Sequence, residues 1–567
     1  MFKRILIANR GEIAKRIINA AQEMGIETVA IYSEVDEDSV HVHAADYSYP
    51  LGDPTPASSY LNMEKIIKIA LESQSEAIHP GYGFLSENSE FAQKVIDNGI
   101  IFIGPTPEAI FSVGDKIQAK KTMKKAGIPV IPGYHGGSRN IDYLLKKARD
   151  IGFPLMIKAT AGGGGRGMRI VESEDEFIES FESAKREAKG AFGSGDVFLE
   201  KYLPHIRHIE FQVLGDKYGK IIHLNERECS IQRRHQKIIE ETPSTALNPE
   251  LRKKMGKIAI SAAQAVNYSN AGSVEFVLDD TTGKFYFLEI NARLQVEHAI
   301  TEAVTGIDLV KWQIKIAAGQ NLTINQEDII SRGHALEFRI YAENPEKQFL
   351  PSSGTIYQVQ VPVGVNIRND LGISTLGGRI STYYDPMIAK LIVHAETREE
   401  AIQKMRWALR NYSAQGIPTN IAFLREVLNK KAFQEGDTHT TFVENHFNKW
   451  QGNQKETPVE VFLAAALFEV MEPFLSTGQD TASNSLINGI DHYYSPWSKL
   501  GTWGRESLDA MSGKLTTTIG RGKAVIKKIL PKVGDDFHSS FLPDSDPHSP
   551  WRKMGSWQLG KKNTRKL

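Results

Sequence analysis

Short apolar runs separated by stretches of helical periodicity open the chain, and this alternation restricts its start to a parallel α/β sheet. Ile5 to Ala8 reads as a buried strand. Gly11 to Ala21 carries Ile13, Ile17, Ile18 and Ala21 on one helical face, and Thr28 to Tyr32, Ala77 to His79 and Ile100 to Ile103 read as further strands. Parallel neighbours need a crossover connection, which the intervening helices supply. The spacing ends this first domain near Val113.

The pattern then changes. Asp115 to Lys125 reads as a basic helix. Leu155 to Lys158 and Arg169 to Val171 read as strands on either side of a glycine run, and strands and turns follow from Val197 to Leu224. Leu251 to Val266 reads as a helix, Ser273 to Leu278 and Lys284 to Ile290 as a hairpin, and Thr305 to Ala318 as a closing helix. From Gly333 the chain turns β-rich, with strands expected at Ala335 to Ala342, Thr355 to Val361 and Ala389 to Ala395, then a helix from Arg398 to Arg410. The expected division is 1–113, 114–331 with a lid at about 132–203, 332–450, and a poorly defined tail at 451–567. In the tail Gly, Ser, Thr and Asp become frequent. The stretch Ser495 to Trp503 echoes Ser549 to Trp557, for which there is no physical account, and Val461 to Phe468 is a helix candidate.

Charge and cysteine content exclude several classes. Lys plus Arg and Asp plus Glu are 68 each, so the broad basic face that nucleic acid needs is not expected. One cysteine, Cys229, allows no internal disulfide and no cysteine-based metal site. It fits a reducing compartment, and a cytoplasmic location is expected. The opening apolar run is too short for a signal segment, and no run of about 18 apolar residues suggests a membrane span.

Four constellations carry chemistry. In Lys158-Ala-Thr-Ala-Gly-Gly-Gly-Gly-Arg-Gly-Met-Arg169, consecutive glycines leave backbone N–H groups open to a phosphate, and Lys158, Arg166 and Arg169 supply charge. It is not a Walker P-loop. Glu275 and Glu289 fall opposite one another if the hairpin turn centres on Thr282. Like charges so placed are unfavourable unless a cation such as Mg²⁺ lies between them, and Asn291 adds an oxygen on the same side. Asn291 to His298 packs Arg293, Gln295, Glu297 and His298 together, the mixture an anion site beside a general base needs. Glu228 to Lys237 concentrates Arg233, Arg234, His235 and Lys237, which suits a polyanion. Cys229 reads as a buried apolar filler, and His41, His43 and His79 as structural.

These motifs, with Arg10-Gly-Glu-Ile-Ala14, His79-Pro-Gly-Tyr-Gly-Phe-Leu-Ser-Glu-Asn88 and Tyr384-Asp-Pro-Met-Ile-Ala-Lys-Leu-Ile392, resemble the biotin carboxylases, in order, from residue 2 to about 446. The resemblance implies an N-terminal parallel α/β domain, an ATP-grasp domain with a glycine-rich lid, and a mixed, β-rich C-terminal domain. It implies that bicarbonate attacks the γ-phosphate of MgATP to give carboxyphosphate, and that this delivers CO₂ to biotin. By motif, Lys116, Lys158, Gly164, Gly165 and His208 would contact ATP phosphates or ribose, Glu200, Lys201 and Leu203 would frame adenine, and His235 would also lie on the nucleotide. Glu275, Glu289 and Asn291 would hold Mg²⁺ or Mn²⁺. Lys237, Arg293, Gln295 and Val296 would bind bicarbonate, and Glu297 would be the base, kept ionised with help from Arg293. Arg339 would stabilise the biotin enolate, with Tyr82 and Gly83 lining the biotin pocket.

Phe338 stands where the family usually has cysteine and Ala292 where it often has threonine; neither position carries the chemistry. Tyr341 and Pro547-His-Ser-Pro-Trp-Arg552 resemble the acyl-CoA carboxylase α subunits. No Ala/Val-Met-Lys-Met biotinylation motif occurs, so the carrier is expected as a separate chain unless the sequence is truncated. Expected partners are a biotin carboxyl carrier protein, carboxyltransferase subunits and a second copy of the chain, with no nucleic acid and no membrane. The alternatives are the biotin carboxylase subunit of a pyruvate carboxylase, another ATP-grasp ligase, or a non-catalytic paralogue. The last would have eroded the charged site that is present here.

Overall fold

The computed structural model describes residues 1–134, 136, 140–159, 168–192, 195–448, 450 and 452, and every element below belongs to the unit Met1–Gly452. Gly164, Gly165 and Arg166, the tail beyond Gly452, its helix candidate and its repeated stretch lie outside the described residues.

The first sheet has five parallel strands in the order Tyr47–Gly52, Glu27–Ser33, Arg4–Ile7, Ala77–His79, Ile101–Phe102. The helix Gly11–Glu23 buries Ile13, Ile17, Ile18 and Ala21, the periodic set visible in the sequence. The edge strand Tyr47–Gly52 was not expected. It contains Pro50, which lacks a ladder donor and is tolerated at an edge. The strand order reverses between Arg4–Ile7 and Ala77–His79, where an open α/β sheet forms a crevice beyond its carboxyl ends. The loops after both strands meet there, the Asn9 amide donating to the carbonyls of Pro80 at 2.8 Å and Tyr82 at 2.7 Å.

An eight-stranded sheet forms the body, in the order Lys284–Asn291, Asn270–Asp279, Ile206–Gly215, Ile221–Arg233, Gln236–Thr242, His334–Tyr341, Met387–Ala395, Ile367–Leu371. It runs without interruption across the expected boundary at 331/332, because Gln236–Thr242 pairs with His334–Tyr341. One of its strands shows the alternation plainly. In Ile206–Gly215, Ile209, Phe211 and Val213 enter the core, while His208, Glu210 and Gln212 face the other way. A separate four-stranded antiparallel sheet, Gly133–Tyr134, Val197–Lys201, Leu155–Ala159, Met168–Val171, has its own small core of Leu144, Ile157, Val171, Phe177 and Leu199.

Two expected elements are divided. Thr305 to Ala318 is not one helix. His298–Thr305 ends at Gly306 in the left-handed region (φ 71°), and Leu309–Ala317 restarts with Asp308 capping Lys311. Thr355 to Val361 splits into Gly354–Ile356 and Gln358–Gln360, which pair with different partners, Gly378–Ile380 and Ser413–Gln415.

Candidate active site

The hairpin places Glu275 opposite Glu289, and by a compensated route. The turn itself is one residue out of the expected register, pairing Asp279 with Lys284. A bulge between Glu275 and Phe276 leaves Leu288 without an opposite number and restores the pairing at the two glutamates. Glu275 is buried and Glu289 sits at the rim, with Lys116 Nζ 3.2 Å from its Oε2. The Asn291 amide nitrogen donates to Glu275 Oε1 at 2.8 Å, which leaves its carbonyl oxygen out of that bond. Two carboxylates and an amide oxygen are hard donors, and a lysine ammonium already lies at Glu289. The set fits Mg²⁺ or Mn²⁺.

Lys237 is the centre of the charge cluster. Its ammonium contacts Glu210 Oε2 at 2.7 Å, Glu275 Oε1 at 2.9 Å and Glu297 Oε1 at 2.7 Å. Each carboxylate has a second partner: Arg227 for Glu210 at 2.6 Å, His208 for Glu275 at 2.7 Å, and Arg339 for Glu297 at 2.9 Å. Burial alone would drive the Lys237 ammonium to lose its proton, but the three carboxylates hold its pKa well above the ordinary lysine value. Burial likewise pushes Glu297 up, and Lys237, Arg339 and Arg227 outweigh it, holding the carboxylate well below the usual range. Glu297 is also the N-cap residue of His298–Thr305, where the helix dipole favours negative charge. Glu240, the other anion on Arg339, is raised to about 7 by burial despite that partner.

Arg293 favours the ionised Glu297 through its charge and not through a contact. Its Nε donates to Glu87 Oε2 at 2.9 Å and its guanidinium to Gln295 Oε1 at 3.2 Å. The ionised state of Glu297 is set chiefly by Lys237, Arg339 and Arg227.

A cavity of about 750 Å³ gathers Lys116, Lys158, Leu203, His208, His235, Lys237, Glu275, Glu289, Asn291, Arg293, Gln295, Val296, Glu297 and Arg339. Glu200, fully buried, pairs with Lys120 and with Lys158 at 2.8 Å, so its charge is committed to the two lysines. The Lys201 ammonium turns away to the carbonyls of Gly152 and Phe153, both at 3.1 Å. Tyr82 lies at the crevice of the first sheet, its hydroxyl donating to Glu12, and Gly83 follows in the left-handed region (φ 67°). Cys229 is buried as expected, but its Sγ is 3.9 Å from Glu297 Oε1, and burial keeps the thiol protonated.

Sequence reasoning missed Glu210, Arg227, Lys120, Glu240 and Glu87 as supports of the site. For Glu210 the signal was present, since a polar residue at every second position of an otherwise apolar strand marks a face that meets something charged. For Glu87 there was none, because its partner Arg293 is 206 residues away.

The chain matches the family descriptions "Biotin carboxylase, N-terminal domain" over residues 1–110, "Carbamoyl-phosphate synthase L chain, ATP binding domain" over 115–325 and "Biotin carboxylase C-terminal domain" over 337–445. It is 52% identical over 443 residues to the biotin carboxylase of Nostoc sp., covering 78% of this chain and 99% of that one. The α subunit of mitochondrial methylcrotonoyl-CoA carboxylase from Glycine max is 49% identical over 444 residues. These are 78% of this chain, which spans only 61% of that subunit's length. Among solved structures, the biotin carboxylase domain dimer of Hydrogenobacter thermophilus 2-oxoglutarate carboxylase, with MgADP and bicarbonate, matches with a TM-score of 0.77 and 48% identity. That match covers 80% of this chain and all of that one. With family descriptions matching all three segments of the described unit, and a named biotin carboxylase aligned over nearly its whole length, the chain belongs to the biotin carboxylase family of ATP-dependent ligases.

Proposed function

We propose that the chain uses ATP and bicarbonate to carboxylate biotin held on a separate carrier protein, the first half-reaction of a biotin-dependent carboxylase. The observation that carries this reading is Glu297, held between Lys237 and Arg339 in the cavity that also gathers the lysines and the opposed carboxylates.

Lys116, Lys158, Gly164, Gly165 and His208 contact the phosphates or ribose, with Glu200, Lys201 and Leu203 around the base and His235 beside it. Glu275, Glu289 and Asn291 hold Mg²⁺ or Mn²⁺, which would neutralise phosphate charge and orient the transferred group. Lys237, Arg293, Gln295 and the backbone of Val296 bind bicarbonate. Glu297 takes the bicarbonate proton as the bicarbonate oxygen attacks the γ-phosphorus, the bond to ADP breaks, and carboxyphosphate forms. A carboxylate locked to two cations is a weak base. An incoming bicarbonate draws Lys237 onto its own negative charge, which frees Glu297 Oε1 and raises its basicity. Carboxyphosphate then yields CO₂ and phosphate. The phosphate accepts the N1 proton of biotin, the enolate oxygen is stabilised by Arg339, and N1 attacks CO₂. Tyr82 and Gly83 line the biotin pocket.

The larger setting we infer is an acyl-CoA carboxylase, supported by Tyr341 and Pro547-His-Ser-Pro-Trp-Arg552 and by the likeness to methylcrotonoyl-CoA carboxylase α subunits. Carrier and carboxyltransferase subunits would be partners, and the dimeric state of the 2-oxoglutarate carboxylase domain supports a homodimer here. A keto-acid carboxylase is the second reading, supported by 49% identity to the 2-oxoglutarate carboxylase small subunit and 50% to a pyruvate carboxylase biotin carboxylase subunit.

Glu297→Gln tests the assignment. It keeps the shape and one accepting oxygen, turns the other into an amide donor beside Lys237 or Arg339, and cannot take a proton; loss of a positioned base costs about 10²–10⁴ in rate. Bicarbonate-dependent ADP release at the wild-type rate in Glu297→Gln would remove Glu297 from this role.

A further inference from the structure

Behind the site a second buried cluster gathers around Lys390. This lysine lies on Met387–Ala395 in register with Arg339 on the neighbouring strand, so two cations stand side by side on one face of the sheet. Like charges so placed are unfavourable unless each is matched. Arg339 is matched by Glu240 and Glu297. Lys390 has Glu12 Oε1 and Asp370 Oε2, each at 3.4 Å, and its one close hydrogen bond, 2.8 Å, goes to the carbonyl of Val296. Glu12 in turn accepts the hydroxyl proton of Tyr82. Glu337 lies on the same face of the sheet two residues before Arg339, and burial pushes its carboxyl well above the ordinary range.

The path is continuous: Tyr82 hydroxyl, Glu12 carboxylate, Lys390 ammonium, Val296 carbonyl, with Glu297 the next residue. It draws on all three matched segments, Glu12 and Tyr82 from the first, Val296 from the second, Lys390 from the third. A fully buried ammonium with two ion pairs this long is a poor way to stabilise a fold, since apolar packing of the same volume does as well or better. What the ammonium supplies that packing cannot is a fixed distance between a peptide carbonyl and a carboxylate.

We propose that Lys390 is a positioning residue that ties the biotin-pocket tyrosine, Tyr82, to the turn carrying Glu297. The biotin-facing and bicarbonate-facing groups thereby keep one geometry. The proposal rests on the function proposed above. Lys390 touches neither substrate. It sets where Tyr82 stands through Glu12, and where Glu297 stands through the peptide that precedes it.

The test compares Lys390→Met, Lys390→Arg and Glu12→Gln with the wild type, using free biotin. It measures KM for biotin, ADP released per carboxybiotin formed, and calorimetric ADP affinity. Lys390→Met is expected to raise KM for biotin and to raise ADP released per carboxybiotin about tenfold or more, the scale on which small misplacements of reacting groups act. ADP affinity stays at the wild-type value. Glu12→Gln shifts the same two quantities in the same direction, and carries the test if Lys390→Met does not fold. Lys390→Arg recovers part of the coupling. Wild-type biotin KM and coupling in folded Lys390→Met or Glu12→Gln would overturn the proposal, as would a parallel loss of ADP affinity and turnover, the mark of a packing role. A wild type that makes no carboxybiotin at all would instead overturn the proposed function, and this inference with it.

Discussion

Replacing Lys237 with glutamine removes the single positive charge that three carboxylates share. The ammonium lies 2.7, 2.9 and 2.7 Å from Glu210, Glu275 and Glu297. At an effective dielectric of about 20, a unit pair at roughly 4 Å is worth about 4 kcal/mol, so the gross attraction lost is on the order of 10 kcal/mol. Most of that is offset, because the ammonium is no longer desolvated and each carboxylate keeps Arg227, His208 or Arg339. Removing one partner from a buried charge cluster costs a net ~3–5 kcal/mol. The remaining anions relieve their repulsion by taking up a proton. Glu210 is the first candidate, since burial and its acidic neighbours already raise its pKa above the ordinary value. Glu297 also loses its leading cationic support, so its pKa rises and less of it is available as base. Lys237→Gln should therefore unfold at lower urea by that margin and lose at least about a thousandfold in bicarbonate-dependent ADP release. Its residual activity should climb with pH across the neutral range, as the protonated base is recovered. Lys237→Arg keeps the charge, but its planar fork cannot meet three carboxylates at once, so it recovers stability more than rate. A Lys237→Gln protein with unchanged urea stability, or with lost activity but a flat pH profile, would refute the shared-cation reasoning.

Two further outcomes are expected from other parts of the molecule. His41 is buried, accepts from the Gly11 amide and donates to the Ile31 carbonyl, and burial lowers its pKa to about 4. Its folded pKa lies below the unfolded value of about 6.5, so the unfolded chain binds the proton first and stability falls as pH drops from 6.5 to 4. The loss is at most ~3 kcal/mol, and urea unfolding of His41→Asn should show a shallower dependence over that window. An unchanged slope would mean that His41 is already charged in the fold. Glu289→Gln should raise the Mg²⁺ concentration for half-saturation of ADP binding by about tenfold or more, read by calorimetry, and leave thermal unfolding without Mg²⁺ near the wild type. Unchanged Mg²⁺ dependence would take Glu289 out of the metal site.

What was legible in the sequence was local. The helix Gly11–Glu23 and the strand Ala77–His79 follow from periodicity within a few turns, and Arg398–Arg410 begins and ends as read. The Glu275–Glu289 pairing was reached from a turn centre one residue out, and agrees because a bulge makes up the difference. A bulge leaves no mark in the spacing of apolar residues, so this agreement owed part of its success to chance. Long-range pairing was not legible. Nothing in Gln236–Thr242 announces that its neighbour begins near residue 334, yet that pairing carries the body sheet past the expected boundary and sets Arg339 beside Glu240. The residues assigned to the cavity came from motifs. Their supports came only from the fold: Arg227 beneath Glu210, Glu87 on Arg293, Lys390 on Val296. A supporting charge needs only to be near its partner in space, and so it carries no spacing rule in the chain.

The central claim is that this chain joins ATP cleavage to carboxylation of biotin. The most direct measurement is transfer of radiolabelled bicarbonate to biotin by the purified protein, with ADP release followed in the same sample. Acid-labile label is expected on biotin only when ATP, Mg²⁺ and bicarbonate are all present, with ADP release stimulated by biotin and Glu297→Gln silent in both. Unlabelled biotin, with ADP released at one rate whether or not bicarbonate and biotin are supplied, would contradict it.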